Sequence, residues 1–593
     1  MDLVKIMEIH KLIQKTIEHY QKGHFKQAEE ICQVILELHP DNVFMLNFLG
    51  VLFYQQGNYD SAIDSIKKAL YYDPNNADSY DHLGSALKAK GHLNEAIKYY
   101  QKAIELNTQN ADTYFNLGNT LIMKGQLDEA INCYKKAIQY NPNFAAAYNN
   151  LGNAFQEQKR YNEAMTHYQI ALQISPDLAD AHLNIGNLYL EKGQYNEAIT
   201  YYQETLKLNP SQFDAYLHLG TVFQKQGKLD EAITCYQKAI KLNPKFAGNY
   251  YNLGIAFQDK RLLDEAFGAY RKTIELDPDF AEAHFSISWL NLLLGNFKEG
   301  WKGYEWRWKL KEAYKRNLSQ LMWDGSDIKG CVILLHAEQG FGDTIQFIRY
   351  APLVAQRGAK VIVECQKELT PLLKNTEGVY QIVSYGEQLP DFDIQCPLLS
   401  LPLVFNTTLE SIPAKIPYIS PAPLSVEKWK ERIKNDKEKI TIGLVWAGST
   451  TTRKEGYYSC SLEAFAPFVH LNNITLYSLQ KGQVSEQVAR LPNGMKLIDY
   501  TEEIHDFSDT AAFIQNLDLI ISVDTAVAHL AGALGKPVWT LLRFSPEWRW
   551  MLDRMDSPWY PTMRLFRQPA PGDWGSVVEK IFNELQTLIH RKH

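Results

Sequence analysis

At 593 residues, 45% apolar and 22% charged, the chain is too long for one hydrophobic core and has the composition of a globular protein of two or more domains. A formal charge of −7 argues against nucleic acid as the main partner, which would require a basic face. The seven cysteines are scattered, odd in number and never spaced as C-x-x-C, so they predict neither a disulfide framework nor a zinc site and fit a reducing cytoplasm. The opening M-D-L-V-K-I-M-E-I-H-K reads as an amphipathic helix start, not a signal peptide, and no apolar run approaches the roughly 20 residues that span a bilayer.

From Pro40 onward the chain repeats every 34 residues. Equivalent starts fall at Pro40, Pro74, Thr108, Pro142, Pro176, Pro210, Pro244 and Pro278, and Gly50, Gly84, Gly118, Gly152, Gly186, Gly220 and Gly254 keep one phase without an insertion. A degenerate copy precedes them. This is the tetratricopeptide pattern, which predicts two antiparallel helices per copy stacked into an α superhelix with a long concave groove. Gly84, Ala96 and Ala103 should let the paired helices approach, with Tyr80, Leu83 and Ile97 filling the layer between them.

Two residues before the glycine stand Asn116, Asn150, Asn184 and Asn252, with His82 and His218 in the same register. Carboxamides spaced by one repeat can donate to and accept from the backbone of an extended peptide, whatever its sequence. The row resembles the asparagine ladder of the nucleocytoplasmic O-linked N-acetylglucosamine transferase, another fusion of such repeats to a glycosyltransferase; asparagine is also common in the repeat consensus. The last copy ends in Trp301, Trp306 and Trp308, which reads as a joint to the next domain over 295–325.

From Cys331 the period changes to alternating strands and helices, hence a parallel sheet with ligands at the strand C-ends. Strand 331–336 leads into H-A-E-Q-G-F-G-D-T, where Gly340 and Gly342 suit close backbone approach and Asp343 begins a helix at 344–356, the ordinary place for a capping Asp. Residues 390–423 are proline-rich and aperiodic and read as a linker. A strand at 440–446 then meets a glycine turn at Gly448 and a polar, basic loop, S-T-T-T-R-K. A helix started by Ser508 and Asp509 precedes the run L-D-L-I-I-S-V-D-T-A-V-A-H-L-A-G-A-L-G-K-P-V-W-T-L-L. That run reads as strand, helix, strand. Asp524 and Thr525 stand at the helix start, where free N–H groups and the dipole suit a phosphate, and His529 lies one turn on. Arg564 and Arg567 sit in a Trp- and Tyr-rich stretch and are weaker candidates for ligand contact.

D-T-A-V-A-H-L-A-G-A-L-G-K-P-V-W resembles the donor-site motif of heptosyltransferase-type glycosyltransferases (family 9). Gly342, Asp343 and Pro352 resemble that family's G-D-x-x-x-x-x-P element, with a longer spacing to the proline. The resemblance implies an α/β domain of the two-lobed GT-B class, needing neither metal nor cofactor and inverting the sugar. It implies Asp343 as the general base. The nucleotide-sugar donor would be held by Gly342, Ser449, Arg453, Lys454, Asp524, Thr525, Ala526, His529 and Arg543. Tetratricopeptide-fused members carry an Arg-Ser pair at the end of the basic loop. Here it is Tyr458-Ser459, leaving Arg453, Lys454 or Arg543 as the cation.

The domains expected are a superhelix of about nine repeats over 1–311, a short first lobe with linker over 312–425, and a donor-binding lobe with tail helix over 426–593. The function expected is sugar transfer to a protein or peptide held in the repeat groove. Two other readings stay open: a glycan or lipid-linked acceptor with the repeats as recruitment module, and a scaffold whose transferase half has decayed.

Overall fold

A computed structural model describes residues 2–311, 316, 318–433, 439–448 and 459–592. The chain forms two compact units, Met1–Asn243 and Pro244–His593.

The first unit is a stack of helical hairpins, such as Ala77–Ala89 with Leu93–Leu106 and Ala145–Glu157 with Tyr161–Ile174. First helices of adjoining repeats touch one another and so form one layer of the stack. From Gly84 to Gly220 what sets the distance within a hairpin is a glycine against a tyrosine, whereas Gly50 faces Ile66. A Cβ on Gly84 would lie 2.8 Å from the Tyr100 ring, and one on Gly152 only 2.5 Å from that of Tyr168. The same pair recurs as Gly118 with Tyr134 and Gly186 with Tyr202. These tyrosines are buried, and each hydroxyl is satisfied beside its glycine: Tyr134 donates to Asn119 Oδ1 at 2.8 Å and Tyr202 to Asn187 Oδ1 at 2.8 Å. The aromatic filling the hairpin is thus Tyr100 rather than Tyr80, which is half-buried.

The second unit begins with two further hairpins, Ala247–Asp259 with Leu263–Leu276 and Ala281–Leu293 with Phe297–Tyr304, and runs on into two parallel sheets. The first sheet has strands β1 (Val332–His336), β2 (Lys360–Cys365), β3 (Val379–Ser384) and β4 (Ile394–Pro397) in the order β3-β2-β1-β4. The second has β5 (Ile440–Val445), β6 (Ile474–Ser478), β7 (Ile498–Asp499), β8 (Leu519–Val523), β9 (Val538–Leu542) and β10 (Met563–Arg567) in the order β10-β9-β8-β5-β6-β7. The chain leaves β5 in one direction and returns to its other side at β8, so the switch point lies between them. β4 occupies part of the stretch expected to be linker. Its Cys396 is buried, and Pro397 ends the strand at the sheet edge, where a missing N–H costs nothing.

One apolar core runs through the last repeats and both lobes. Trp301 is its centre: it meets Trp548 edge-on at 5.2 Å and donates from Nε1 to the Thr407 carbonyl at 3.1 Å. Beside it the buried Arg307 grips Glu338 with two N–H donors at 2.9 and 3.0 Å and also reaches Ser400. The tryptophan-rich end of the array is therefore built into the α/β domain through Trp301, while Trp306 instead stacks on His284 at 3.7 Å.

Because the glycine–tyrosine contact leaves no room for a methyl group, Gly152→Ala is expected to cost about 1–3 kcal/mol by overpacking. Urea unfolding of the full chain followed by helical circular dichroism checks this; an unchanged midpoint contradicts it.

Candidate functional site

β8 ends at Val523, and the helix Ala526–Ala533 opens two residues later with Thr525 as its N-cap. The Thr525 hydroxyl does not cap the helix; it pairs with Ser522 Oγ at 3.0 Å. Among the described residues, nothing accepts from the N–H groups of Ala526 and Val527, so the positive end of the helix points into open space. That space is a groove of about 1070 Å³ at the C-ends of β5, β6 and β8, lined by Gly342, Gln480, Lys481, Phe507, Asp524 and Thr525 among others.

Of the residues expected to hold a donor, Gly342, Asp524, Thr525 and Ala526 line this groove. Ser449, Arg453 and Lys454, with Tyr458, lie outside the described residues; Gly448, just before them, lines the groove. Arg543 bears electrostatically on Asp524. His529 lies behind the groove wall, 6% exposed, its Nδ1 paired with the Tyr560 hydroxyl at 2.9 Å and its ring stacked on Trp550. Burial and the nearby Arg549 and Arg349 hold its pKa well below the usual imidazole range, so it is neutral. Gly342 is where the two lobes meet: a Cβ there would come within 2.9 Å of the His529 ring.

Asp343 is not the helix cap. The helix starts at Phe341 with Gly340 as N-cap, which puts Asp343 in the first turn, where its Oδ2 accepts the Gly340 N–H at 3.0 Å. Its other oxygen pairs with Arg549, a residue of the second lobe for which no local pattern in the sequence speaks. Arg549 also donates to Glu547 at 2.8 Å and to Gln346 at 2.7 Å. Burial pushes the Asp343 carboxyl above the ordinary carboxylate range, against the pull of Arg549.

Other expectations change. The helix Phe507–Gln515 is capped by Asp506, whose carboxylate accepts the N–H groups of Ser508 and Asp509, because Asp506 alone has extended backbone. Arg564 ties β10 to Glu584 of the tail helix Trp574–Lys592, and Arg567 donates to the Trp550 and Arg554 carbonyls; neither lines the groove. Of the asparagine row, Asn116 donates to Asp81, Asn150 to Asn119 and Asn184 to Asn149, each in the preceding repeat. Their amide N–H groups thus bind repeat to repeat. Asn252 is half-buried on the first helix of its hairpin. No cluster of metal-ligating side chains occurs among the described residues, and no helix there is long and apolar enough to cross a membrane.

Burial, then the charge of Glu547, pushes the Asp524 carboxyl up to about 6. A carboxyl with its folded pKa above the unfolded one binds more protons when folded, so its ionisation disfavours folding as pH rises through that window. Asp524→Asn removes the effect. Its thermal midpoint relative to wild type is therefore expected to rise between about pH 4.5 and about pH 7.5. A difference that stays constant with pH contradicts the assignment. The side chain is about one-third exposed, which limits the size of the effect.

Comparison with known proteins follows the same division. Residues 50–260 match the TPR repeat family in overlapping segments, and 247–280 match the tetratricopeptide repeat family. Residues 473–569 match Glycosyltransferase family 9 (heptosyltransferase), a span that holds β8, the helix after it and Arg549. Protein FlbA of Caulobacter vibrioides is 24% identical over 326 residues, 51% of this chain and 54% of that protein, so the chain spans about half the length of the curated relative it matches. Among solved structures, MamA is 34% identical over 27% of this chain and 94% of its own, with a TM-score of 0.26. YrrB, described as a TPR protein with an unusual peptide-binding site, is 28% identical over 31% of this chain and 95% of its own, also at 0.26. By these matches the chain joins an array of tetratricopeptide repeats to a domain of glycosyltransferase family 9.

Proposed function

We propose that the protein is a metal-independent, inverting glycosyltransferase of the GT-B class that moves a sugar from a nucleotide-sugar to a protein or peptide acceptor held by its repeats. The observation that carries this reading is the helix Ala526–Ala533, which opens straight from a strand end into a groove of about 1070 Å³ and aims unengaged N–H groups at it. A diphosphate set there is stabilised by the helix dipole as negative charge develops on it, and this design requires no cation from solution.

In the reaction the acceptor hydroxyl oxygen bonds to the anomeric carbon as the bond from that carbon to the diphosphate oxygen breaks. The electron pair leaves with the nucleoside diphosphate, and the hydroxyl proton passes to Asp343. A carboxylate whose pKa is raised by burial is a better proton acceptor near neutral pH than an exposed one. Thr525 fixes the turn that presents the helix end, and neutral His529 packs behind it without adding charge.

One observation favours a second acceptor class. Asn116, Asn150 and Asn184 each donate to the preceding repeat, and Asn150 Oδ1 also accepts from Asn149, which leaves less of the row for a peptide and suits a recruitment role with a glycan acceptor.

Both are tested by incubating the full chain with radiolabelled UDP-, GDP-, ADP- and CDP-sugars and either a peptide library or a glycan array. Transfer to peptides is expected, falling about 100-fold or more in Asp343→Asn and clearly reduced in Thr525→Ala. Transfer to glycans alone would favour the second reading. Transfer untouched by both substitutions, or none from any donor, would overturn the mechanism.

A further inference from the structure

The geometry points to Arg549 as the positioning residue for the proton acceptor: its guanidinium fixes the carboxylate of Asp343, next in sequence to Gly342 of the groove wall, and is itself aimed by Gln346 and Glu547. The inference rests on the glycosyltransferase reading with Asp343 as base.

Asp343 and Gln346 lie three residues apart on the helix Phe341–Phe347 of the first lobe, and so on one face of it. Arg549 comes from the turn Trp548–Trp550 that follows β9 in the second lobe. Its three nitrogens are each assigned: Nε to Gln346 Oε1 at 2.7 Å, Nη1 to Glu547 Oε2 at 2.8 Å and Nη2 to Asp343 Oδ1. The guanidinium lies over the Trp548 ring at 4.3 Å, and the residue is 6% exposed. A planar fork held at three points and stacked on an indole has no second orientation available. With Gly340 N–H on its other oxygen, Asp343 is confined to one rotamer, yet each oxygen keeps a lone pair able to take a proton.

The charged and titratable groups around Asp343 come from three directions. Arg549 and Glu547 face it from the second lobe, Glu338 from the loop after β1, and Tyr304 from the end of the repeats; Asp524 lies beyond Arg549. Arg549 holds the Asp343 pKa down, and Glu547 pushes it up. Neutralising them must therefore shift the base in opposite directions.

The test measures nucleotide release by the full chain across pH, with whichever of the UDP-, GDP-, ADP- or CDP-sugars the wild type turns over. Arg549→Gln is expected to lower kcat about 10- to 100-fold with little change in donor KM, because the base is left unaimed. Its acid limb in kcat/KM should move up by about one pH unit, and that of Glu547→Gln should move down. Arg549→Lys, which keeps the charge but loses the fork, should hold the limb near wild type and still lose kcat. Acid limbs that stay put in both glutamine variants, or move the same way, overturn the positioning role while leaving the transferase reading intact. A wild type that releases no nucleotide, or an Asp343→Asn that keeps its rate, overturns the underlying reading and this inference with it. Thermal midpoints provide the fold control: a double-mutant cycle of Asp343→Asn with Arg549→Gln should be non-additive, and simple additivity counts against the contact.

Discussion

A guanidinium in a dry interior must be met on every side by acceptors, or its desolvation is ruinous. Arg549 is such a group, and meeting it draws the rest of the cleft together. Asp343 and Gln346 reach it from one lobe and Glu547 from its own, and Trp548 supplies the aromatic floor. Arg349 does the same a short distance away, donating to the Trp559 carbonyl and to the Tyr418 hydroxyl at 2.7 Å each. Two buried cations thus tie the lobes where Gly342 allows them to touch, and the groove beside them is the space that remains.

The repeats solve a simpler problem. From the repeat of Gly84 onward a glycine on one helix admits a tyrosine ring from the next, and the ring's hydroxyl is satisfied locally, so these hairpins bury their aromatic without an orphaned donor. At the end of the array the device changes. Tyr304 keeps the tyrosine's register with Ser288 in the glycine's place, while Trp301 adds a contact to Trp548 and a hydrogen bond to Thr407, and the last hairpin becomes a wall of the α/β domain. Tyr304 on that wall lies within electrostatic reach of Asp343. The final hairpins therefore belong physically to the cleft as much as to the array.

How much of this was legible in the sequence depended on whether the signal was local. The repeat register was, since an invariant glycine phase is a direct imprint of one close contact. β8, the helix after it and β9 were, since an apolar run, a turn and a small-residue stretch follow one another without interruption. The identity of the filling aromatic was not: Tyr80 and Tyr100 are both aromatic, and only the contact with Gly84 distinguishes them. β4 was hidden because I-Q-C-P is short and followed by prolines that read as breaks. Arg549 was hidden for a deeper reason: it pairs with a residue 206 positions away, and no period or spacing records such a contact. The asparagine row was visible, but its bonds to preceding repeats were not, because a carboxamide's partner is chosen by the fold.

The central claim is that the start of the helix Ala526–Ala533 receives a nucleotide diphosphate. Ala526→Pro tests it most directly. Proline is at home in the first position of a helix and Thr525 already has the extended backbone that precedes one, so the helix stands while one N–H donor is deleted. Thermal midpoints of the full chain would be followed with UDP, GDP, ADP, CDP and their sugars; a ligand at 100 times its Kd adds about 2.7 kcal/mol. The account predicts that one nucleotide class raises the wild-type midpoint and that the rise is sharply reduced in Ala526→Pro. No rise with any of them, or one that Ala526→Pro leaves untouched, would contradict it.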